Sequence, residues 1–433
     1  MSAWGAPLKR LLPRSRFARS VALLAGGTAV GQAISILASP LLTRLYLPGD
    51  FGLLALYASL LSVLLPSISL QYQEAIPLPA EEEDALHLLA LSLVTLLVLS
   101  GLVGLIILLF GGPLVRWANL PALRPYLWLL PVGLIFAGTY QVMSLWVLRQ
   151  QLFPALARTR VQQGLSALVT QALLGLLHAG PWGLLTGDIV GRTSGVLSLW
   201  RSAVPRRFLH GLNVAGMVRM AVRYRRFPLV SSVSALFNGI GLHYPPIIFA
   251  ALYGSQTVGW LFLTERVLGL PMNVIGNAIG NVFFGQAAQL VHQDPQALAR
   301  LHASLTFKLL LLSALPTLAI MLLAPSVFAL VFGESWREAG VYAQILAPAA
   351  VFRLMSSPLT SIFTVTERLE MHLWWDVTRF VAVLAPLYLA HALQLSARAA
   401  VVGYALGQLL SYLLLVGLSR YVVLRGIKGT KHA

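Results

Sequence analysis

The residues of this sequence with most chemistry to offer are charges embedded in long apolar runs. Glu265 and Arg266 lie inside WLFLTERVLGLP, and Arg353 lies near the middle of another apolar stretch with no acidic residue within helical reach. One such charge costs on the order of 2.5 to 3.5 kcal/mol to insert, so it is kept off lipid and faces protein or a water-filled cavity. An unpaired cation there calls for a carbonyl cage or an anionic ligand, and the guanidinium fork of Arg353 suits the ligand. Glu265 and Arg266 are neighbours and point about 100 degrees apart on a helix, so at least one must reach another span or a cavity. Asp188 and Arg192 stand four apart, share a helical face and can pair there; a packing pair is the plainer reading of the two.

Other polar groups carry weaker signals. Glu74, in QYQEAIPLP at the inner end of an apolar run, is either a protonatable coupling group or a hydrated interface residue. The acidic run Glu81 to Asp84 precedes an apolar stretch and complements the positive end of a helix dipole. Asn273, Asn277 and Asn281 recur at helical spacing on one face, and with Gln32, Asn238 and Gln286 they could donate to sugar hydroxyls; such a stripe lines a cavity or an interhelical seam. Catalytic constellations are missing from the sequence: no Gly-rich phosphate loop ending in Lys-Ser/Thr, no HExxH, and nine scattered histidines with only His243 clearly intramembrane. The reading is a non-enzyme without cofactor or metal.

The elements that must position these groups are membrane spans. With 58% hydrophobic and 10% charged residues over 433 positions, polar surface is too scarce to cover a soluble fold. The composition is that of an all-α integral membrane protein. A hydrocarbon core needs about 20 helical residues, and twelve stretches qualify: 20–43, 51–72, 86–110, 123–148, 161–179, 182–200, 227–250, 257–287, 305–331, 338–363, 372–392 and 398–419. The first is too long for the apolar region of a signal peptide and is read as retained. Prolines 66, 245, 246, 271, 316, 348, 358 and 386 fall inside spans, as hinges or as static kinks.

Charge sets the orientation. A net charge of +17 would suggest nucleic acid in a soluble domain, so its distribution decides. With the N-terminus inside, five of the 31 Lys and Arg (Arg44, Arg116, Arg124, Arg337, Arg398) fall outside and three (Arg192, Arg266, Arg353) deep within spans, which leaves 23 on the inner side when Lys308 and Arg379, toward the inner ends of their spans, are counted there. That is a positive-inside pattern with both termini cytoplasmic, and no nucleic-acid partner is implied. The interval 201–227 holds seven arginines; the spacing of Val214, Met217, Val218, Ala221 and Val222 predicts an amphipathic helix along the inner surface. Arg223, Arg225 and Arg226 stand there at a cytoplasmic entrance. Cysteine is absent, which excludes disulfides and thiolate metal sites.

The chain also repeats itself. Leu45-Tyr46 and Gly52 recur as Leu252-Tyr253 and Gly259 at an offset of 207, Ala85-Leu86 and Pro113 as Ala297-Leu298 and Pro325 at 212, and Pro131 as Pro348 at 217. Their order and slowly growing offset argue for two homologous six-helix halves, 1–205 and 206–433, the second opening with a basic linker over 206–226.

The strings SPLLTRLYLPGDFGLLALYASL (39–60), YQEAIPLP (72–79), RYRRFPL (223–229), ERVLGLPMNVIGNAIGNVFF (265–284), ALVFGESWREAG (329–340) and RLMSSPLTSIFTV (353–365) resemble the oligosaccharide flippases of lipopolysaccharide, O-antigen and exopolysaccharide biosynthesis. These belong to the multidrug/oligosaccharidyl-lipid/polysaccharide exporter superfamily. The resemblance implies two six-helix bundles around a cavity that moves a polyprenyl-pyrophosphate-linked glycan across the bacterial inner membrane. It implies substrate contacts from Arg44, Arg192, Arg266, Arg353 and Asn277, proton or sodium coupling through Glu74, Asp188 or Glu265, and a polysaccharide polymerase with chain-length machinery as partners besides membrane lipids. Two alternatives stand beside it: a cation-coupled multidrug exporter of the same superfamily, and a membrane-embedded polymerase or ligase, for which no large outer loop is predicted.

The charge pattern makes a direct prediction: reporters fused after Arg206 and at the C-terminus read as cytoplasmic, and one inserted at Ser255 reads as external. A C-terminus on the outside breaks the twelve-span topology.

Overall fold

The computed structural model describes residues 16–203 and 212–429, whose regular structure is all helical. The basic residues before Arg16, the linker residues 204–211 and the last four residues fall outside that range. Two compact units form, residues 1–255 and 256–433.

The first unit opens with α1 (Arg16–Leu37), α2 (Ser39–Leu45), α3 (Pro48–Leu64) and the single turn α4 (Tyr72–Ala75). Pro48 starts α3, where its missing N–H costs nothing, and the Asp50 carboxylate accepts from the Leu47 N–H at 3.0 Å. Helix α5 (Glu82–Trp117) follows, with Glu82, Glu83 and Asp84 in its first turn, where carboxylates meet the positive helix end. Then come α6 (Leu129–Arg149), α7 (Phe153–Leu176), α8 (Pro181–Thr193), α9 (Val196–Ala203) and α10 (Val214–Arg223). The predicted span 182–200 is two helices: Gly195, at φ 94°, sits between α8 and α9, a backbone that only glycine adopts without strain. Helices α1, α7 and α8 pack in sequence, α6 lies against α5, α8 and α9, and α10 lies against α5.

The helical stretch α11 (Ser232–Gln293) is two helices meeting at Gly254 and holds two predicted spans. The turn expected over LYGSQTVG contracts to Gly254, at φ 83° and ψ 170°, and the compact units divide immediately after it. In the second unit α12 (Pro295–Phe332) packs on α13 (Arg337–Leu359), and α15 (Leu369–Ala392) on α16 (Ala397–Gly429), with the short α14 (Ser361–Val365) between. Asp294 caps α12, accepting from the Ala297 N–H at 2.8 Å.

Among the described residues, eight helical segments are long and apolar enough to cross a membrane. The burial pattern is that of a lipid-solvated protein: Leu97, Leu105 and Leu108 of α5 point outward, Leu108 with 81% of its surface exposed. Polar side chains meanwhile turn inward, with Ser92 and Ser100 of α5 fully buried.

The core of the first unit centres on Trp146, which is completely buried among Tyr72, Leu88, Met143 and Leu199. Its indole N–H donates to the Ala203 carbonyl at 2.9 Å, and Gln150 donates to the same oxygen at 3.0 Å, so the end of α9 is pinned to α6. One helical turn on from Trp146, Arg149 donates to the carbonyls of Ile76 (3.2 Å), Pro79 (2.7 Å) and Glu81 (3.4 Å). Those bonds fix the connection that carries the chain from α4 into α5.

Replacing Trp146 by Ala should cost about 3–5 kcal/mol of stability and free the end of α9, while Trp146→Phe, which keeps most of the ring, costs less. Thermal unfolding of the detergent-solubilised variants measures both; equal melting for Ala and parent removes Trp146 from the core argument.

Candidate functional site

In the second unit Arg353 is not a lone cation. Its Nη1 donates to Glu265 Oε2 at 2.9 Å, joining α13 to the second arm of α11, and the side chains are 24% and 32% exposed. Gly269 makes the pair possible: one turn beyond Glu265, its absent Cβ would lie 2.7 Å from Arg353 Nη2. Tyr404 and Tyr412 of α16 share the field of the guanidinium. On the far side of Tyr412 stands Arg379 of α15, which hydrogen-bonds the phenol, pairs with Asp376 at 3.2 Å and lies over the Trp375 ring at 4.7 Å. Trp375 is held flat by His372, stacked at 5.6 Å and 6°, and its N–H donates to the Ser411 carbonyl at 2.7 Å. Two arginines and the Glu265 carboxylate thus act on one tyrosine.

The arrangement can exchange an anion. Each guanidinium is already half-satisfied by a carboxylate, which lowers the cost of holding it away from water. A phosphate oxygen that displaced Glu265 would engage the fork of Arg353 bidentately. Arg266, beside Glu265, has its guanidinium 6.0 Å from the centre of the Phe262 ring. Asn277 and Asn281 are exposed on the same helix.

The first unit holds the other predicted residues. Arg192 Nε donates to Asp188 Oδ2 at 2.6 Å within α8, the pairing that their spacing predicts, and Tyr57 of α3 feels both charges. Arg44 is exposed in the last turn of α2. Glu74 reaches solvent, yet neighbouring protein desolvates it enough to hold its carboxyl above the ordinary glutamate range. Arg223 turns back to Asp84 (3.4 Å), alongside Arg219 (2.8 Å), whereas Arg225 and Arg226 are exposed. A cavity of about 310 Å³ lies among Leu53, Leu56, Asn119, Leu120, Pro121 and Ala251, and none of the predicted residues lines it. Among the described residues no group of three or more His, Asp or Glu could hold a metal ion.

Reading the sequence missed Arg379 and Tyr412, and it assigns Asp84 only to its helix dipole, without the pairing to Arg219 and Arg223. Asp376 and Arg379 are three apart, a pairing signal, but Arg379 had been absorbed into the inner-side charge count.

The all-helical fold is shared with solved membrane transporters. An inward-facing multidrug-resistance MATE family transporter of the MOP superfamily superposes with TM-score 0.65 at 18% identity, covering 94% of this chain and 95% of that one. The lipid II flippase MurJ in an inward closed conformation superposes with TM-score 0.72 at 8% identity, covering 94% and 90%. Within that fold the chain belongs to the polysaccharide biosynthesis protein family, whose model matches residues 41–341. Curated relatives include the amylovoran biosynthesis protein AmsL of Erwinia amylovora, 22% identical over 150 residues (35% of this chain, 38% of that protein). The teichuronic acid biosynthesis protein TuaB of Bacillus subtilis is 23% identical over 197 residues (43% and 40%). The chain spans about two fifths of the length of the curated relatives it matches.

If the Glu265–Arg353 pair stabilises the second unit, a double-mutant cycle with Glu265→Gln and Arg353→Gln should return a coupling of about 0.5–3 kcal/mol, and Gly269→Val should destabilise by displacing the guanidinium. Additive losses in thermal unfolding would mean the two side chains do not interact.

Proposed function

We propose that the protein moves a polyprenyl-pyrophosphate-linked oligosaccharide from the cytoplasmic to the outer leaflet of the bacterial inner membrane by alternating access. Membership of the polysaccharide biosynthesis family over residues 41–341 carries this reading; the partly buried arginines of the second unit give it chemistry. Arg353, released from Glu265, and Arg266 grip the pyrophosphate through charge-assisted, bidentate bonds. Asn277 and neighbouring tyrosines contact sugar hydroxyls, and the polyprenyl tail stays in lipid. Glu265 is then both the counter-ion and the coupling group: a proton on it frees Arg353 for the anion, and return of the anion-free state restores the pair. Asp188 with Arg192, and Glu74 with its raised proton affinity, are further coupling candidates. Arg225 and Arg226 draw the anionic headgroup in from the cytoplasmic side, an electrostatic role that salt screens, and Arg44, on the outer side, contacts it on arrival.

The same reading has two homologous halves, 1–205 and 206–433, supported by the repeated strings, both termini in the cytoplasm, supported by the charge distribution, and a glycan polymerase with chain-length machinery downstream. The fold shared with multidrug MATE transporters favours a second reading, export of cationic drugs; arginines outnumbering carboxylates inside the spans argue against it.

A leaflet-resolved assay with a defined lipid-linked glycan in reconstituted vesicles tests the proposal. Arg353→Ala and Arg266→Ala should abolish flipping with normal membrane insertion, Arg353→Lys should keep part of it because the charge survives without the fork, and Glu265→Gln should loosen its dependence on pH. Parental rates in both alanine variants sink the anion-binding mechanism, and extrusion of a cationic dye without glycan flipping favours the drug exporter.

A further inference from the structure

Helix α10 has two unlike faces. One is docked on the start of α5: Gly216 and Met220 are buried, Gly216 lies against the His87 ring, and Asp84, whose side chain is 11% exposed, is held by Arg219 and Arg223. Asn213 caps the helix, accepting from the Gly216 N–H at 2.6 Å, while its own N–H donates to His87 Nε2 at 3.4 Å. The Nδ1 of the same ring contacts the Glu83 carbonyl at 2.9 Å. These contacts settle the rotation of α10 about its axis.

The opposite face is apolar and uncovered. Val214, Val218 and Val222, four apart and so in one row, are 76%, 55% and 60% exposed. The row continues past the arginines into Leu229, Val230, Val233 and Phe237, which are also exposed and open the following membrane-length segment, Phe227–Gly269. At the junction stand Arg225 and Arg226, both exposed, and α10 itself carries no acidic residue. An exposed apolar row followed in the chain by exposed cations and then by an exposed apolar span fits one surface: the acyl–headgroup boundary of a leaflet rich in anionic phospholipid.

We infer that α10 is an interfacial lipid-binding helix, its Val214–Val218–Val222 row embedded in the leaflet and Arg225 and Arg226 selecting anionic phospholipid headgroups. Asp84 completes the device by engaging Arg219 and Arg223, which turns the valines away from the protein. The inference is independent of the transported substrate.

The absence of cysteine makes the test clean. The full chain carrying V222C is labelled with a bimane fluorophore and reconstituted in vesicles of phosphatidylcholine and phosphatidylglycerol, with either lipid brominated on its acyl chains. Brominated lipid should quench the label, and brominated phosphatidylglycerol should do so more strongly than brominated phosphatidylcholine at equal mole fraction. Arg225→Gln and Arg226→Gln should each reduce that preference, by roughly fivefold for an arginine fully at the surface, and together bring it to parity while quenching persists. Both positions are exposed, so the changes leave the dock on α5 intact. Absence of quenching by either lipid overturns the embedding; equal quenching by both in the parent overturns the anionic selectivity; and quenching that depends on protein density, through contact with a second copy, assigns the valine face to an interface between copies instead.

Discussion

Taking a charge out of water is the constraint on which this structure turns. In an apolar helical bundle each ion must bring a counter-ion, a backbone cage or a ring face with it, because desolvation costs several kcal/mol per ion. The described charges of the interior obey this. Arg192 has Asp188, Arg353 has Glu265, Arg379 has Asp376 and the face of Trp375, and Arg149 has three backbone carbonyls. Of these bonds, Glu265–Arg353 joins α11 to α13 and Arg149 ties α6 to the connection into α5, whereas the Asp188–Arg192 and Asp376–Arg379 pairs each lie within one helix. Nonspecific apolar packing against lipid would choose among neighbours only weakly.

What could be read in the sequence follows from the range of each interaction. Asp188 and Arg192 share a helix, and their bond is legible from spacing alone. The bond between Glu265 and Arg353 spans 88 positions; the cost of burial says that both need partners, but nothing local says that they need each other. The ring about Tyr412 was hidden for the same reason, since it gathers residues from α13, α15 and α16. Asp84 was read as a partner for the dipole of its own helix, and a second, tertiary use of the same carboxylate leaves no periodic trace. The all-helical membrane class needed only composition and run length, both of which are local.

The helix boundaries show where local rules give way. Run length alone treats 182–200 as one span, yet Gly195 divides it; glycine inside an apolar run is read as tolerated until its φ is known. The break expected between the next two spans is present but confined to Gly254, whose φ of 83° and ψ of 170° leave the helix.

Gly269 ties three positions of the chain into a single unit of inheritance. A side chain at 269 and a guanidinium at 353 cannot occupy the same space, and a carboxylate at 265 has its partner only while that guanidinium is there. Among descendants of a common ancestor these sites should therefore drift jointly: a lineage that loses the arginine is released to enlarge the glycine and to neutralise the glutamate, and one that keeps it can enlarge the glycine only by moving the guanidinium off its place. An alignment of homologues would carry that history as correlated columns, with the direction of change set by which of the three was lost first.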